Sequence, residues 1–237
     1  MELDWSEQSP HIRSLYRPWQ PGDGYEEATI QEAEARIGVR LPAPLRTLYR
    51  AWGHRPDLTM RQNLLWYLED LKVKADTLIF FEENQATCCW GIPLASLTEA
   101  DPPVVITEML VREVASEDDW RPFQAHLSDF LDDMTYLHAF LGGAAHGSWT
   151  RRDVPTPELP AHYIAWLEEH WSKATVRPWA FGLMPETPDL GPDAWSTLYI
   201  RNGQAFYTLG EHHVVAREAS AVDEIGQRFQ LTWAWRW

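Results

Sequence analysis

LIFFEENQATCCWGI, residues Leu78 to Ile92, is the stretch on which the fold reading turns. Apolar residues fill both ends, and Glu82-Glu83-Asn84-Gln85 interrupts them in the middle. Short apolar runs bounded by polar turn residues read as the two strands of a hairpin, Leu78–Glu82 and Thr87–Ile92. Their unbroken apolarity suggests central strands covered on both faces. The stretch therefore predicts a sheet core with helices packed on it, and Trp90 is expected to lie buried between the sheet and a helical hairpin.

The segment before it supplies that helical hairpin. Asp23-x-x-Glu26 has the form of a capping box, and Ile30, Ala33 and Ile37 follow at helical spacing. Gly38 sits where a helix end favours a left-handed residue. Leu41-Pro42 interrupts, and Pro44 opens a second helix with the stripe Leu45, Leu48, Tyr49 and Trp52, closed by Gly53. Residues 1–24 mix Trp, Pro and charge without periodicity and read as an irregular arm.

Leu64–Leu71 reads as a helical turn leading into the central hairpin; after the hairpin, Pro102-Pro103 precedes a strand at Val104–Ile106, and Met109–Ala115 alternates loosely. Ser128 is positioned to cap a helix carrying Phe130, Leu131, Met134 and His138, ended by Gly142-Gly143. Ala144–Pro160 reads as a loop, Pro160–Lys173 as a helix and Thr175–Ala194 as a proline-rich loop. Trp195–Arg201, Asn202-Gly203 and Gln204–Leu209 form a hairpin, because Asn-Gly supplies the two positive φ angles of a type I′ turn. His213–Arg217 follows as a strand, and Ser220-x-x-Asp223 caps a last helix with Val222, Ile225 and Phe229 inward. The chain closes in alternation, with Leu231, Trp233, Trp235 and Trp237 on one strand face.

Composition narrows the function classes. With 45% apolar residues and 14 Trp, the 237 residues can bury a sizeable core. No apolar run reaches the roughly eighteen residues of a membrane span, and the opening MELDWSEQ is acidic where a signal peptide is basic. A cytoplasmic protein with no membrane partner is the expectation. The two cysteines, Cys88 and Cys89, are adjacent and point to opposite faces of a strand, which disfavours a disulfide or a metal site built on them. The formal charge of −15 argues against direct nucleic-acid binding and favours a basic partner or, equally, solubility alone.

The order of these pieces resembles the SUKH superfamily, which includes bacterial immunity proteins and a yeast cell-wall regulator. The resemblance rests on Ile30-x-x-x-Glu34-x-x-Ile37-Gly38-x-x-Leu41-Pro42 with Tyr49 and Trp52-Gly53, then on Phe80, Glu83-Asn84-Gln85, Trp90-Gly91-Ile92 and Asp101-Pro102-Pro103-Val104. Ser128-x-Phe130-Leu131 and the final strand–helix–Trp strand complete it. Trp52 departs from the small polar residue the family commonly shows before the glycine. The resemblance spans residue 25 to the C-terminus and implies an α+β class: a mixed, mostly antiparallel sheet with helices packed on it, in one SUKH-like domain over 25–237. It also implies a binding protein without catalysis or cofactor, which neutralises a cognate bacterial toxin, nuclease-like and basic, by steric occlusion. A housekeeping adaptor or regulator without a toxin is the alternative.

Candidate contacts follow from charge and loop position. Glu82 and Glu83 could form a carboxylate pair, but adjacent carboxylates at a strand end diverge and no positioned His accompanies them, so a polar hairpin tip open to a partner is the reading. Between Glu108 and Asp133 eight acids face two arginines. Asp129, Asp132 and Asp133 suit the first turns of a helix. Glu117, Asp118 and Asp119 do not, and with Trp120 they form a candidate anchor for a basic protein, the competing account having Trp120 buried as a staple before the Ser128 helix. His212-His213 reads as an exposed turn His beside a strand His, not as a metal pair. Trp90, Trp171 and Trp233 are expected in the core, while Trp5, Trp19, Trp149 and Trp179 fall in loops.

Overall fold

A computed structural model describes residues 14–61, 63–107, 114, 116–150, 159–176, 196–201, 203–208 and 212–236. It shows an α+β protein whose strands all pair antiparallel, in two six-stranded sheets rather than the one sheet pictured from the sequence. Two compact units result. One spans Trp19–Thr135, and the other Tyr136–Trp237 with an early segment ending at Pro18.

The first unit opens with helices α1 (Glu27–Ile37) and α2 (Ala43–Trp52). Gly38 is left-handed at φ 74° and its N–H donates to the Glu34 carbonyl, as the helix-end reading requires. The Glu34 side chain then accepts from the Leu41 N–H at 2.9 Å and from Arg46 at the start of α2. One carboxylate thus ties the end of α1, the link and α2 together, which gives the Glu34-x-x-Ile37-Gly38-x-x-Leu41 spacing its physical content. Leu45, Leu48, Tyr49 and Trp52 are buried as the stripe predicted. The capping box does not form. Glu26 occupies the cap position without a side-chain bond, while buried Asp23 accepts from the Gln20 N–H (2.8 Å) and lies 3.9 Å from buried Arg55. Arg55 holds Asp57 in two hydrogen bonds, at 2.6 and 3.1 Å, and Asp23 adds a second negative charge beside that buried guanidinium. Gly24 is held where a Cβ would stand 1.8 Å from the Arg50 carbonyl oxygen, so backbone meets backbone there.

A four-residue turn of helix, α3 (Pro56–Thr59), leads to β1 (Asn63–Leu65), β2 (Lys72–Lys74), β3 (Thr77–Glu83) and β4 (Cys89–Pro93), then β5 (Val104–Thr107) and β6 (Arg121–Gln124). The order is β1-β3-β4-β5-β6, with β2 also on β3. β3 and β4 are the expected hairpin. The expected helical turn over Leu64–Leu71 narrows to Leu68–Asp70, and β1 takes the residues before it. The register shifts between Ile79 and Phe81, leaving Phe80 as the extra residue of a bulge. Both phenylalanines consequently reach Phe130 of α4 (Leu127–His138), at 5.6 and 5.4 Å between ring centroids. Trp90 is buried, but its cover is Phe130 of α4 and Phe123 of β6 rather than the α1–α2 hairpin. Ser128 does not cap α4 with its own oxygen. Its N–H and hydroxyl both donate to Asp101, which supplies the negative charge at that helix start. The boundary between units falls within α4.

The second unit holds β7 (His146–Trp149), helix α5 (Ala161–His170), β8 (Ser172–Val176), β9 (Ser196–Arg201), β10 (Gln204–Thr208), β11 (His212–Ala216), helix α6 (Ala219–Arg228) and β12 (Trp235–Arg236), in the order β12-β7-β11-β10-β9-β8. The β9–β10 hairpin keeps its expected register, Arg201 opposite Gln204, with Gly203 at φ 72°. Helices α5 and α6 cover one face, packing Leu167, Trp171, Val222, Ile225 and Phe229 on Tyr199, Phe206, Val214 and Ala216. Leu15 and Tyr16 of the arm are buried. Ser14 Oγ accepts from the Gly203 N–H, and Arg217 donates to the Tyr16 carbonyl.

Four readings change here. The expected Pro160–Lys173 helix stops at His170, and Ser172–Val176, taken from its end and from the start of the expected loop, is strand β8 because it pairs with β9. His146–Trp149 is a strand although its Gly and Ser carry no strand pattern, because β11 and β12 pair with it on either side. Glu218, not Ser220, stands at the cap position of α6, without a side-chain bond. The closing alternation makes only a two-residue strand. Trp233 instead packs on Gly226 of α6, where a Cβ would meet its indole nitrogen at 2.6 Å, and Trp235 is 62% exposed. Most of the loosely alternating Met109–Ala115 segment, most of the Thr175–Ala194 loop, and Trp5 and Trp179 lie outside the described residues.

Candidate binding rim

Register brings the two acidic motifs to one end of the first sheet. Glu82 of β3 pairs with Cys89 of β4, Cys89 with Thr107 of β5, and Ile106 with Arg121 of β6, so Trp120 flanks the same row. Three strand spacings separate Glu82 from Trp120, about 14 Å. Glu83 and Asp119 each stand one residue further toward the end. The rim therefore carries Glu82, Glu83, Glu117, Asp118, Asp119 and Trp120.

These residues differ in how free they are. Glu82 is half-buried and accepts from the Trp66 indole N–H at 3.2 Å. Glu83 closes its own turn, one oxygen accepting from the Gln85 N–H (2.8 Å) and the Thr87 hydroxyl (3.0 Å). The Ser116 N–H donates to Asp119, and the Ser116 hydroxyl accepts from the Asp119 N–H, a capping box on the short helical turn Glu117–Asp119. Glu117 and Asp118 stay exposed. Trp120 is half-buried, and its indole N–H is buried without a hydrogen-bond partner. It is thus neither a fully presented anchor nor a fully covered staple.

Other candidates resolve structurally. Cys88 and Cys89 are buried and outside any disulfide, and burial pushes the Cys89 thiol up to about 12. His212 and His213 are both buried strand residues, so the exposed turn His is not found. Their rings meet different neighbours, Phe206 and Phe140, as opposite faces require. Asp133 is buried and accepts from Gln124 at 3.3 Å, while Asp129 is exposed. Among the described residues, no group of three or more His, Cys, Asp or Glu side chains could hold a metal ion, and no helix is long and apolar enough to cross a membrane. Trp19 is 53% exposed, and Trp149 falls in β7 rather than a loop.

Sequence reasoning missed the aromatic company of the rim. Trp66 bonds Glu82, Lys72 lies 5.1 Å over the Trp66 ring, and Tyr67 beside it is exposed. No local spacing signals this, since Trp66 and Glu82 meet only through the β1–β3 register.

The fold and rim thus define an α+β protein with an acidic, aromatic-flanked sheet end. No protein-family model matches this sequence, and comparison with curated proteins and with solved structures yields no match either.

Proposed function

We propose that this chain is a SUKH-type immunity protein of the cytoplasm that holds a basic bacterial toxin, such as a nuclease, and blocks it by steric occlusion. The observation that carries this reading is the register that gathers Glu82, Glu83, Glu117 and Asp118 at one sheet end beside Trp120. An acidic rim with aromatic neighbours suits a partner whose own substrate is a polyanion. Charge steers the encounter, and a desolvated ring holds the complex.

The test is to seek a toxin domain in the reading frame next to this chain and co-express the two, followed by binding kinetics. Rescue of growth and a stable complex are expected. Charge reversal of Glu117 and Asp118 to Lys, which spares the Asp119 cap, should slow association and flatten its salt dependence. Trp120→Ala should mainly speed dissociation. Absence of both rescue and complex would sink the reading. Recovery of an endogenous partner from unchallenged cells would replace it with the adaptor alternative.

A further inference from the structure

Away from the rim, helices α5 and α6 leave an open groove of about 500 Å³ between them, lined by His162, Tyr163, Trp166, Glu224, Gln227 and Arg228. That volume lies within the range of small-ligand sites. Its aromatic wall is anchored in the core below. Phe229 sits 4.8 Å from the Tyr163 ring and 5.9 Å from Trp166, edge-on to the latter. His170 stacks on Trp166 at 4.7 Å and 19°, with its Nδ1 2.8 Å from the Trp166 carbonyl.

Arg228 lies with its guanidinium carbon 4.2 Å from the centre of the Trp166 ring. This cation–π contact holds the guanidinium at the ring without using its N–H donors. Glu224 approaches only to 3.9 Å, beyond hydrogen-bond distance. The result is a positioned fork of donors at the mouth of an aromatic groove, in a chain of net charge −15. A planar carboxylate matches such a fork in bidentate fashion. An aryl body on that carboxylate would lie against Tyr163 and Trp166. A ligand cation fits less well, because it would meet the like charge of the Arg228 guanidinium lining the same groove.

We infer that the α5–α6 groove binds a small aromatic carboxylate, with Arg228 taking the carboxylate and Tyr163 and Trp166 the ring. This is independent of the rim and of any toxin.

The experiment titrates the full chain with 3-phenylpropionate, 3-phenylpropionamide and 2-phenylethylamine, followed by the Trp indole N–H resonances and by calorimetry. The anion should bind about tenfold more tightly than the amide, the worth of one charge-assisted hydrogen-bonded pair. Arg228→Gln should remove that preference, and Arg228→Lys should restore only part of it. Glu224→Gln should strengthen anion binding about two- to fivefold, since an exposed like charge is removed. Both positions are surface residues of α6, and circular dichroism checks that the variants stay folded. Equal binding of anion and amide, preference for the amine, weaker anion binding in Glu224→Gln, or no saturable binding of the anion would each overturn the assignment.

Discussion

Replacing Trp90 by Ala tests the core of the first unit most directly. Trp90 is 4% exposed and faces three rings, Phe81 at 5.9 Å, Phe123 at 5.8 Å and Phe130 at 5.8 Å. Large-to-small changes of buried aromatics cost about 3–5 kcal/mol. The lost ring pairs, worth about 0.5–1.5 kcal/mol each beyond area, place this site in the upper part of that range. One contribution runs the other way. The Trp90 indole N–H is buried without a partner, so removing it relieves a desolvation penalty of about 1–3 kcal/mol. The expected net loss is about 1–4 kcal/mol for Trp90→Ala. Trp90→Phe keeps the ring contacts and sheds the unpaired donor, so it should cost about 1 kcal/mol or less. Urea unfolding followed by amide exchange of β3, β4 and β5 reads this unit by itself. A loss below about 1 kcal/mol for Trp90→Ala, or equal losses for the two variants, would refute the packing argument. Combining Trp90→Ala with Phe130→Ala should show coupling of at least about 0.5 kcal/mol, because the rings touch. Strict additivity would remove α4 as the cover.

Two further outcomes are expected. Because Cys88 and Cys89 are buried, and burial holds the Cys89 thiol near 12, neither should react with a disulfide reagent at pH 8 until the protein unfolds. Rapid native labelling of either would contradict the strand placement. Asp223, hydrogen-bonded to Arg236 at 2.7 Å, is held below the usual carboxylate range chiefly by that bond. With its folded value depressed, the tie between α6 and β12 is present above the usual carboxylate value and lost as pH falls through the lower one. Exchange protection of the Arg236 amide should fall on acidification, and Asp223→Asn should abolish that dependence; protection unchanged between neutral and strongly acidic pH would remove the tether.

The sequence by itself determined the elements whose signals are local. The β3–β4 and β9–β10 hairpins, the α1–α2 pair with left-handed Gly38, and the inward residues of α4 and α6 follow from apolar period, turn chemistry and the glycine's missing Cβ. The rim was legible in part, since its acids stand in two short motifs. That the motifs share one sheet end was not, because it depends on the β4–β5 and β5–β6 pairings, whose strands are joined by connections too long for a turn to set the register. Caps also went astray. Asp23 and Ser128 have the right side chains, but the first helix starts late enough to put Glu26 at its cap, and Asp101, distant in sequence, takes the Ser128 hydroxyl. Strand β7 owes its form to neighbours on both sides, and the C-terminal tryptophans lose their alternation because Gly226 offers Trp233 a flat helix surface. Division into two sheets, the ring cover of Trp90 and the α5–α6 groove were likewise decided by tertiary packing, where the nearest neighbours of a side chain lie tens of residues away along the chain.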